Sequence, residues 1–404
     1  MANIQGGTNY AGAGATTLSA LIPIIYEARD RVAREQIGLI TAATRDASEA
    51  QAAVGQTVRS PVTQPVGLTA IAPSNVVPNT GGQTILYKDL VIANSYAAPI
   101  QWTGEEQRAV GSNFEVIFRD QFTQAFRTLD NTIEASLVAT MLNGGSSRAT
   151  GAAGTSPFNT VGDFSDFANA HLILDNNGAP EDDRRIIMGF AAYANMTGKQ
   201  SSLWKANEAG TDAFLRKGII NEVLNLKFHK SAQIDKNAHT KGTGAATYAS
   251  DGTGSVGGTA YAVGETAIKL KTGSGTVVAG DIVTFAGDAN VYVVVSGVTA
   301  AGQVMTIAAP GLQQTLADAV TMTVGNNYKG NMVLHPTALM LATRAPIMPA
   351  GGDAAAAVEL VYDEVSGISY QVAEYKVYRQ VHYEVGAAWG SLANKPEFAA
   401  LLLG

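Results

Sequence analysis

Cysteine is missing from all 404 residues. That excludes disulfides and thiolate metal sites and fits a reducing compartment. Histidine is scarce. His171, His229, His239, His335 and His382 never fall at the H-x-x-x-H or H-E-x-x-H spacing that places two imidazoles on one metal. Each reads as strand-end packing or an exposed side chain before it reads as a ligand. Charge is thin, at 15% Asp, Glu, Lys and Arg with a net of −7. A generic nucleic-acid binder needs clustered Lys and Arg to meet phosphates, so that class is disfavoured. A surface this rich in Gly, Ala, Thr and Ser suits broad subunit contacts better than a lone, highly soluble monomer. Long apolar runs are missing too. No stretch reaches the ~18 residues of a membrane-crossing helix. The opening Met1-Ala-Asn-Ile-Gln-Gly-Gly-Thr-Asn-Tyr10 lacks both the basic start and the apolar stretch of a secretory signal.

Chemical motifs are nearly absent. Gly252-Thr-Gly-Ser-Val-Gly257 matches G-x-G-x-x-G, but a dinucleotide site needs a strand before it and a helix after it. Both flanks here are low-complexity and read as loop. Glu181-Asp-Asp183, between Pro180 and Arg184, reads as a solvated turn rather than a cation site. Gly273-Ser-Gly275 lacks the full nucleophile elbow. No catalytic residue, cofactor-binding residue, metal ligand or cofactor is expected, and the chain does not read as an enzyme.

What the sequence does have is a module of a different character between 239 and 330. It holds 16 of the chain's 43 glycines, 14 threonines and one proline, Pro310, while the nearest arginines are Arg216 and Arg344. Runs at 266–271, 280–285, 291–296, 304–308 and 320–324 predict five short strands, hence a small sandwich or barrel. Residues 239–264 before them read as a Gly/Thr/Ala-rich loop.

The rest alternates in pattern. Residues 17–44 carry a broken helical period interrupted by Pro23 and Gly38. Five prolines, Pro61, Pro65, Pro73, Pro78 and Pro99, rule out long helices over 55–105. The strand-like 83–92 and the turn signal Asn79-Thr-Gly-Gly82 predict a two-stranded excursion with a stiffened tip. Such a hairpin is marginal alone and must lie on something. Its apolar residues Ile71, Val76, Val77, Ile85, Leu86, Tyr87 and Val91, with Lys88 among them, are the expected subunit contacts. A helix over 112–142 follows, opened by the Ser112/Glu115 capping-box pattern. Phe114, Phe118, Phe122 and Phe126, then Leu129, Ile133, Leu137 and Met141, form a stripe that drifts ~40° per four-residue step and should meet more than one neighbour. Further on, a helix over 163–174, a strand at 185–189, a helix over 190–198, a strand at 331–335, a helix opened by Pro336 and strands at 358–362 and 369–385 are predicted. This order is α+β rather than doubly wound.

That order of elements resembles the major capsid (coat) protein of tailed bacteriophages, of Hong Kong 97-type fold. The inserted β module looks like the I-domain of podovirus coat proteins. Three stretches carry the resemblance: Leu334-His-Pro-Thr-Ala-Leu-Met-Leu-Ala-Thr-Arg344, the run from His382 to Glu397, and Gly280-Asp-Ile-Val-Thr-Phe-Ala-Gly287. The resemblance implies an N-terminal arm and helix at 1–54, an extended E-loop at 55–105, and a spine helix with the start of the peripheral domain at 106–160. It implies an axial domain at 161–238 and 331–357, split by the I-domain at 239–330, with peripheral strands and the C-terminus at 358–404.

It further implies self-assembly of hexamers and pentamers into an icosahedral head around double-stranded DNA, met by diffuse contacts. Scaffolding and portal proteins would be partners, with no membrane. The protein would be in the virion, and in host cytoplasm during assembly. Some members of that family cross-link their shells through a lysine and an asparagine. Lys88, the only lysine before Lys199, is the sole residue of the loop able to serve, although a polar edge-strand lysine is its plainer role. The alternative is a surface or phage-tail adhesin that uses the insert as an Ig-like binding module.

Overall fold

In this computed structural model the described residues are 34–63, 71, 73, 75, 85–199, 222–244, 247–255 and 257–404. The elements sort into two sheets, a long helix, a projecting hairpin and a barrel, and the class is α+β.

The first sheet is built around the longest strand, Gln380–Ala393. One flank pairs with the whole of Asn94–Thr103, from Gln380 opposite Thr103 to Trp389 opposite Asn94. The other flank is shared. Leu339–Pro346 takes the far end and Ile368–Val377 the near end. Thr44–Ala52 lies parallel outside Leu339–Pro346, and Ala355–Asp363 forms the opposite edge. One sequence expectation changes here. Pro336 opens only a single 3-10 turn, Pro336–Ala338, capped by His335. The following residues are strand because Leu339, Leu341, Thr343 and Ala345 are buried between two partner strands, and that packing outweighs helix propensity. Of the broken helical period expected over 17–44, residues 17–33 lie, with all of 1–33, outside the described residues, and the described part holds the helix Gly38–Ala42.

The long helix runs from Phe114 to Thr140 and lies against this sheet. It begins two residues after Ser112, with Asn113 at the N-cap position and Glu115 in the first turn. A capping box forms one element earlier, where Thr103 and Glu106 cap the short helix Gly104–Val110 reciprocally, and a 3-10 turn, Gly111–Asn113, joins the two helices. The apolar stripe winds as its four-residue steps require. Phe114 meets Trp102 edge-on at 5.0 Å, Phe118 meets Tyr383 at 4.7 Å, and Phe126 meets Tyr370 at 5.3 Å. Leu129, Ile133, Leu137 and Met141 then enter the main core. One π turn, Met141–Gly145, follows Thr140, and the chain leaves helical geometry there at Gly144, whose φ of +93° suits glycine and where a Cβ would stand 2.6 Å from Val295.

The second sheet runs in the order Arg148–Gly151, Ala399–Leu403, Gly330–Leu334, Arg185–Met188, Leu226–Lys230 and Glu222–Val223. Ala399–Leu403 and Gly330–Leu334 are buried along their whole length, as central strands covered on both faces must be. Ser165–Asn176 and Phe190–Lys199 accompany this sheet. Phe167, Leu174, Met196 and Leu402 share its core.

The insert is a closed barrel. Its strands follow the ring Ile282–Phe285, Thr321–Val324, Tyr248–Ser250, Ala267–Lys271, Val304–Ile307 and Val291–Ser296, which pairs back onto Ile282–Phe285. Closure leaves no edge to aggregate. A core of its own fills it, including Tyr248, Ile268, Leu270, Phe285, Tyr292, Met305 and Met322. The expected loop at 239–264 is corrected: Tyr248–Ser250 is a stave of the barrel and Ala260–Tyr261 pairs with Leu316–Ala317. The glycines and threonines had hidden one buried apolar side chain per short strand, Tyr248 and Tyr261. The barrel is also less separate than its composition implies, because Val291 and Tyr292 pair with Ala149 and Arg148 and so join it to the second sheet.

The closed ring makes a prediction. A fragment spanning 239–330 should give a dispersed amide spectrum. A fragment spanning 265–330 should not, because losing Tyr248–Ser250 opens the ring between Thr321–Val324 and Ala267–Lys271. Equal dispersion from both fragments would show that this stave is dispensable.

Candidate functional site

Thr57–Thr63 and Ile85–Val91 pair antiparallel from Thr57 opposite Val91 to Thr63 opposite Ile85. Among the described residues they form a ribbon with no third strand. Pro61 is tolerated because, among those residues, its strand has a free edge. Alternation divides the ribbon into two faces. Leu86, Lys88 and Leu90 pass from exposed through half-buried to fully buried, so this face meets the body only at its root. Ile85, Tyr87 and Val91 occupy the other face, with exposures of 69%, 56% and 44%. The Arg59 guanidinium lies 4.1 Å from the Tyr87 ring centre and bonds Asp89 at 3.0 Å, which stiffens the ribbon without covering it.

Five of the expected contact residues, Ile71, Ile85, Leu86, Tyr87 and Val91, are thus solvent-facing. Val76 and Val77 lie outside the described residues. Lys88 behaves differently from its neighbours. Its ammonium donates to the backbone carbonyl of Asn394 in the same chain. Burial lowers its pKa, and the nearby Glu397 carboxylate opposes that shift.

The residues that fix the ribbon's root were not singled out from sequence. Leu90 and Ile92 are buried, and Ile92 packs with Ala52 and Ala388. Gly390, within the long central strand, lets the Val91 carbonyl approach so closely that a Cβ there would lie 2.1 Å from its oxygen. A glycine inside an apolar strand is the signal that marks such an approach. Gly390→Ala should therefore displace the root and loosen the ribbon. Protease cleavage between 57 and 91 should become at least tenfold faster in this variant, while cleavage in the barrel stays at the wild-type rate. Unchanged cleavage would show that the close approach does not hold the ribbon.

Other chemistry does not converge. Among the described residues no group of three or more His, Asp or Glu could hold a metal. A cleft at the Gln380 end of the first sheet is lined by Trp102, Thr103, Glu105, Lys376, Tyr378 and Arg379 with their neighbours, none of them histidine. Of the G-x-G-x-x-G run, Gly252–Gly254 forms a 3-10 turn whose Thr253 N–H is capped by the Asp251 carboxylate. The histidines are dispersed. His239 bonds Asp281 at 2.8 Å, His229 lies 3.2 Å from Thr41, and His171 lies 3.0 Å from Arg184. Burial lowers the pKa of both His171 and His229. The Glu181–Asp183 turn is an ion-pair site, with Asp183 held at about 2 by Arg185 and Lys227. No described helix is long and apolar enough to cross a membrane.

No protein-family model matches the chain, and no curated protein matches its sequence. Solved structures similar to it include the capsid structure of the cyanophage P-SCSP1u, 12% identical, covering 98% of this chain and 96% of that one with a TM-score of 0.48. The capsid of the Myoviridae phage XM1 is 12% identical over 99% and 100% of the two chains, with a TM-score of 0.45. The asymmetric unit of the bacteriophage PhiM1 mature capsid is 9% identical over 93% and 90%, with a TM-score of 0.47.

Proposed function

We propose that this chain is a structural major capsid protein that assembles with copies of itself into the icosahedral head of a tailed bacteriophage. The observation that carries the reading is the ribbon. It holds apolar side chains in solvent on a rigid, body-anchored support, an arrangement that costs stability unless a second molecule covers it. The element order supports the same reading. A long helix lies along a sheet, a separate second sheet carries the insert, and the ribbon projects from the first sheet, as in the Hong Kong 97-type coat subunits that the sequence resembles.

In this reading the partners are other copies of the chain in hexamers and pentamers, with scaffolding and portal proteins during assembly in the host cytoplasm. The DNA is met by diffuse contact, consistent with the net charge of −7. Weak contacts repeated many times close such a shell through avidity. The adhesin reading gains no support from these observations.

The test is direct. Purified full-length chain, alone and with a scaffolding protein, should give closed shells or capsomers in negative stain and sedimentation. Strict monomers under every scaffold and salt condition would overturn the assignment.

A further inference from the structure

Residues 34–40 cross the long helix, and polar contacts fix them there. The Arg34 guanidinium forks onto Asp363, with Nη1 to Oδ1 at 2.7 Å and Nη2 to Oδ2 at 2.8 Å. The same group donates to Asp130 of the helix. Asp130 also accepts from the Tyr370 hydroxyl at 2.5 Å. Asp363 also accepts the Ser366 N–H at 2.9 Å and its hydroxyl at 2.7 Å.

The next residue grips the helix through a different pair. Glu35 accepts from Arg127 Nε at 2.6 Å and Nη2 at 2.7 Å, and from Asn131 at 2.9 Å. The backbone N–H groups of Leu39 and Ile40 then each donate to Glu134 at 2.8 Å. Helix positions 127, 130, 131 and 134 follow i, i+3, i+4, i+7 spacing and form one face. A polar face of the helix thus holds the incoming chain, while its apolar stripe holds the sheet.

Arg34 has a part that its neighbours on this face do not share. It ties the helix, through Asp130, to Asp363 at the end of the edge strand Ala355–Asp363. Both carboxylates are buried. Burial raises the pKa of Asp130, and the Asp363 charge adds to that shift. Without the guanidinium, two buried acids would face each other.

We propose that residues 34–40 form a strap in which Arg34 locks the hairpin Ala355–Val377 onto the long helix, so that losing its fork frees the hairpin and not the rest of the subunit. Withdrawing Arg34 leaves the edge strand paired on one side only, to Ile368–Val377, with an uncompensated carboxylate pair at its end. The strap is a property of the single subunit and does not depend on the capsid reading.

Hydrogen exchange on the full-length, unassembled chain tests it. Arg34→Gln should speed exchange in Ala355–Val377 by tenfold or more and leave the barrel strands within 248–324 unchanged. Arg34→Lys keeps the charge and loses the fork, so it should fall between the two. Adding Asp130→Asn to Arg34→Gln should slow the hairpin back toward wild type, because one of the opposed charges is gone while the amide oxygen still accepts from Tyr370. Unchanged hairpin exchange in Arg34→Gln overturns the proposal. So does equal acceleration in the barrel, which would mean general destabilisation, and so does failure of the Asp130→Asn rescue.

Discussion

Replacing Ile85 and Tyr87 together by serine should leave a folded subunit that no longer assembles. Both side chains stand exposed on the outer face of the ribbon, Tyr87 with the Arg59 guanidinium over its ring, so the monomer loses little beyond that contact. In a shell, covering an apolar side chain of this size contributes ~1.5–3 kcal/mol. Two per subunit therefore amount to ~3–6 kcal/mol, and the low end of that range already raises the assembly threshold more than 100-fold. Light scattering with scaffold present reads the threshold, and circular dichroism reads the fold. Shells forming at the wild-type concentration would show that the ribbon is not the clamp between subunits. The opposite face needs a different treatment. Leu90 is buried in the subunit's own core, so a deletion meant to remove the arm must spare Leu90, or it disturbs the body it is meant to leave intact.

Glu134→Ala should be the most damaging single change to the subunit itself. The Glu134 side chain is fully buried in the middle of the long helix and receives the N–H groups of Leu39 and Ile40. Burial raises its pKa, and hydrogen bonds from Ser231 and from those two N–H groups oppose the rise. Alanine leaves two buried donors unpaired, at ~1–3 kcal/mol each, so a loss of about 3 kcal/mol or more is expected by urea denaturation. Glu134→Gln keeps one acceptor oxygen and turns an N–H toward the second donor, so about half that loss should remain. A cost below 1 kcal/mol for the alanine variant would mean that water or a shift of Gly38–Ala42 satisfies the donors.

Some of this architecture was readable from residue order and some was not. The phenylalanine stripe announced both the long helix and its several partners, because a four-residue repeat on a 3.6-residue helix must wind. The ribbon's pairing was legible from its prolines and the strand-like 83–92, while the turn signal at 79–82 lies outside the described residues. The polar face of the same helix was passed over. Arg127, Asp130, Asn131 and Glu134 carry no local signal, and only long-range pairing with Arg34, Glu35, Leu39 and Ile40 makes them structural. Pairing across ~95 positions leaves no local period to detect. The missed stave Tyr248–Ser250 failed for the opposite reason. A three-residue strand is too short to show alternation, and the surrounding glycines and threonines read as loop. The segment after Pro336 shows packing overruling a local signal, since a proline at the first helical position is a sound cue that a two-sided β neighbourhood cancelled.

The insert leaves and rejoins the body through two residues that touch. His239 and Tyr328 bond backbone to backbone. The His239 imidazole reaches Asp281, and the Tyr328 hydroxyl donates to the Gly280 carbonyl at 2.7 Å. A chain that departs and returns at one point can be exchanged there. A foreign domain grafted there would need ends a single β-bridge apart, and the body would lose the pairing of Arg148 and Ala149 with Tyr292 and Val291, the hydrogen bond from Arg148 to Asn290, and the packing of Ile282, Val293 and Ala308 into its core. The subunit is in this respect a display platform, with a grafting point fixed by two residues.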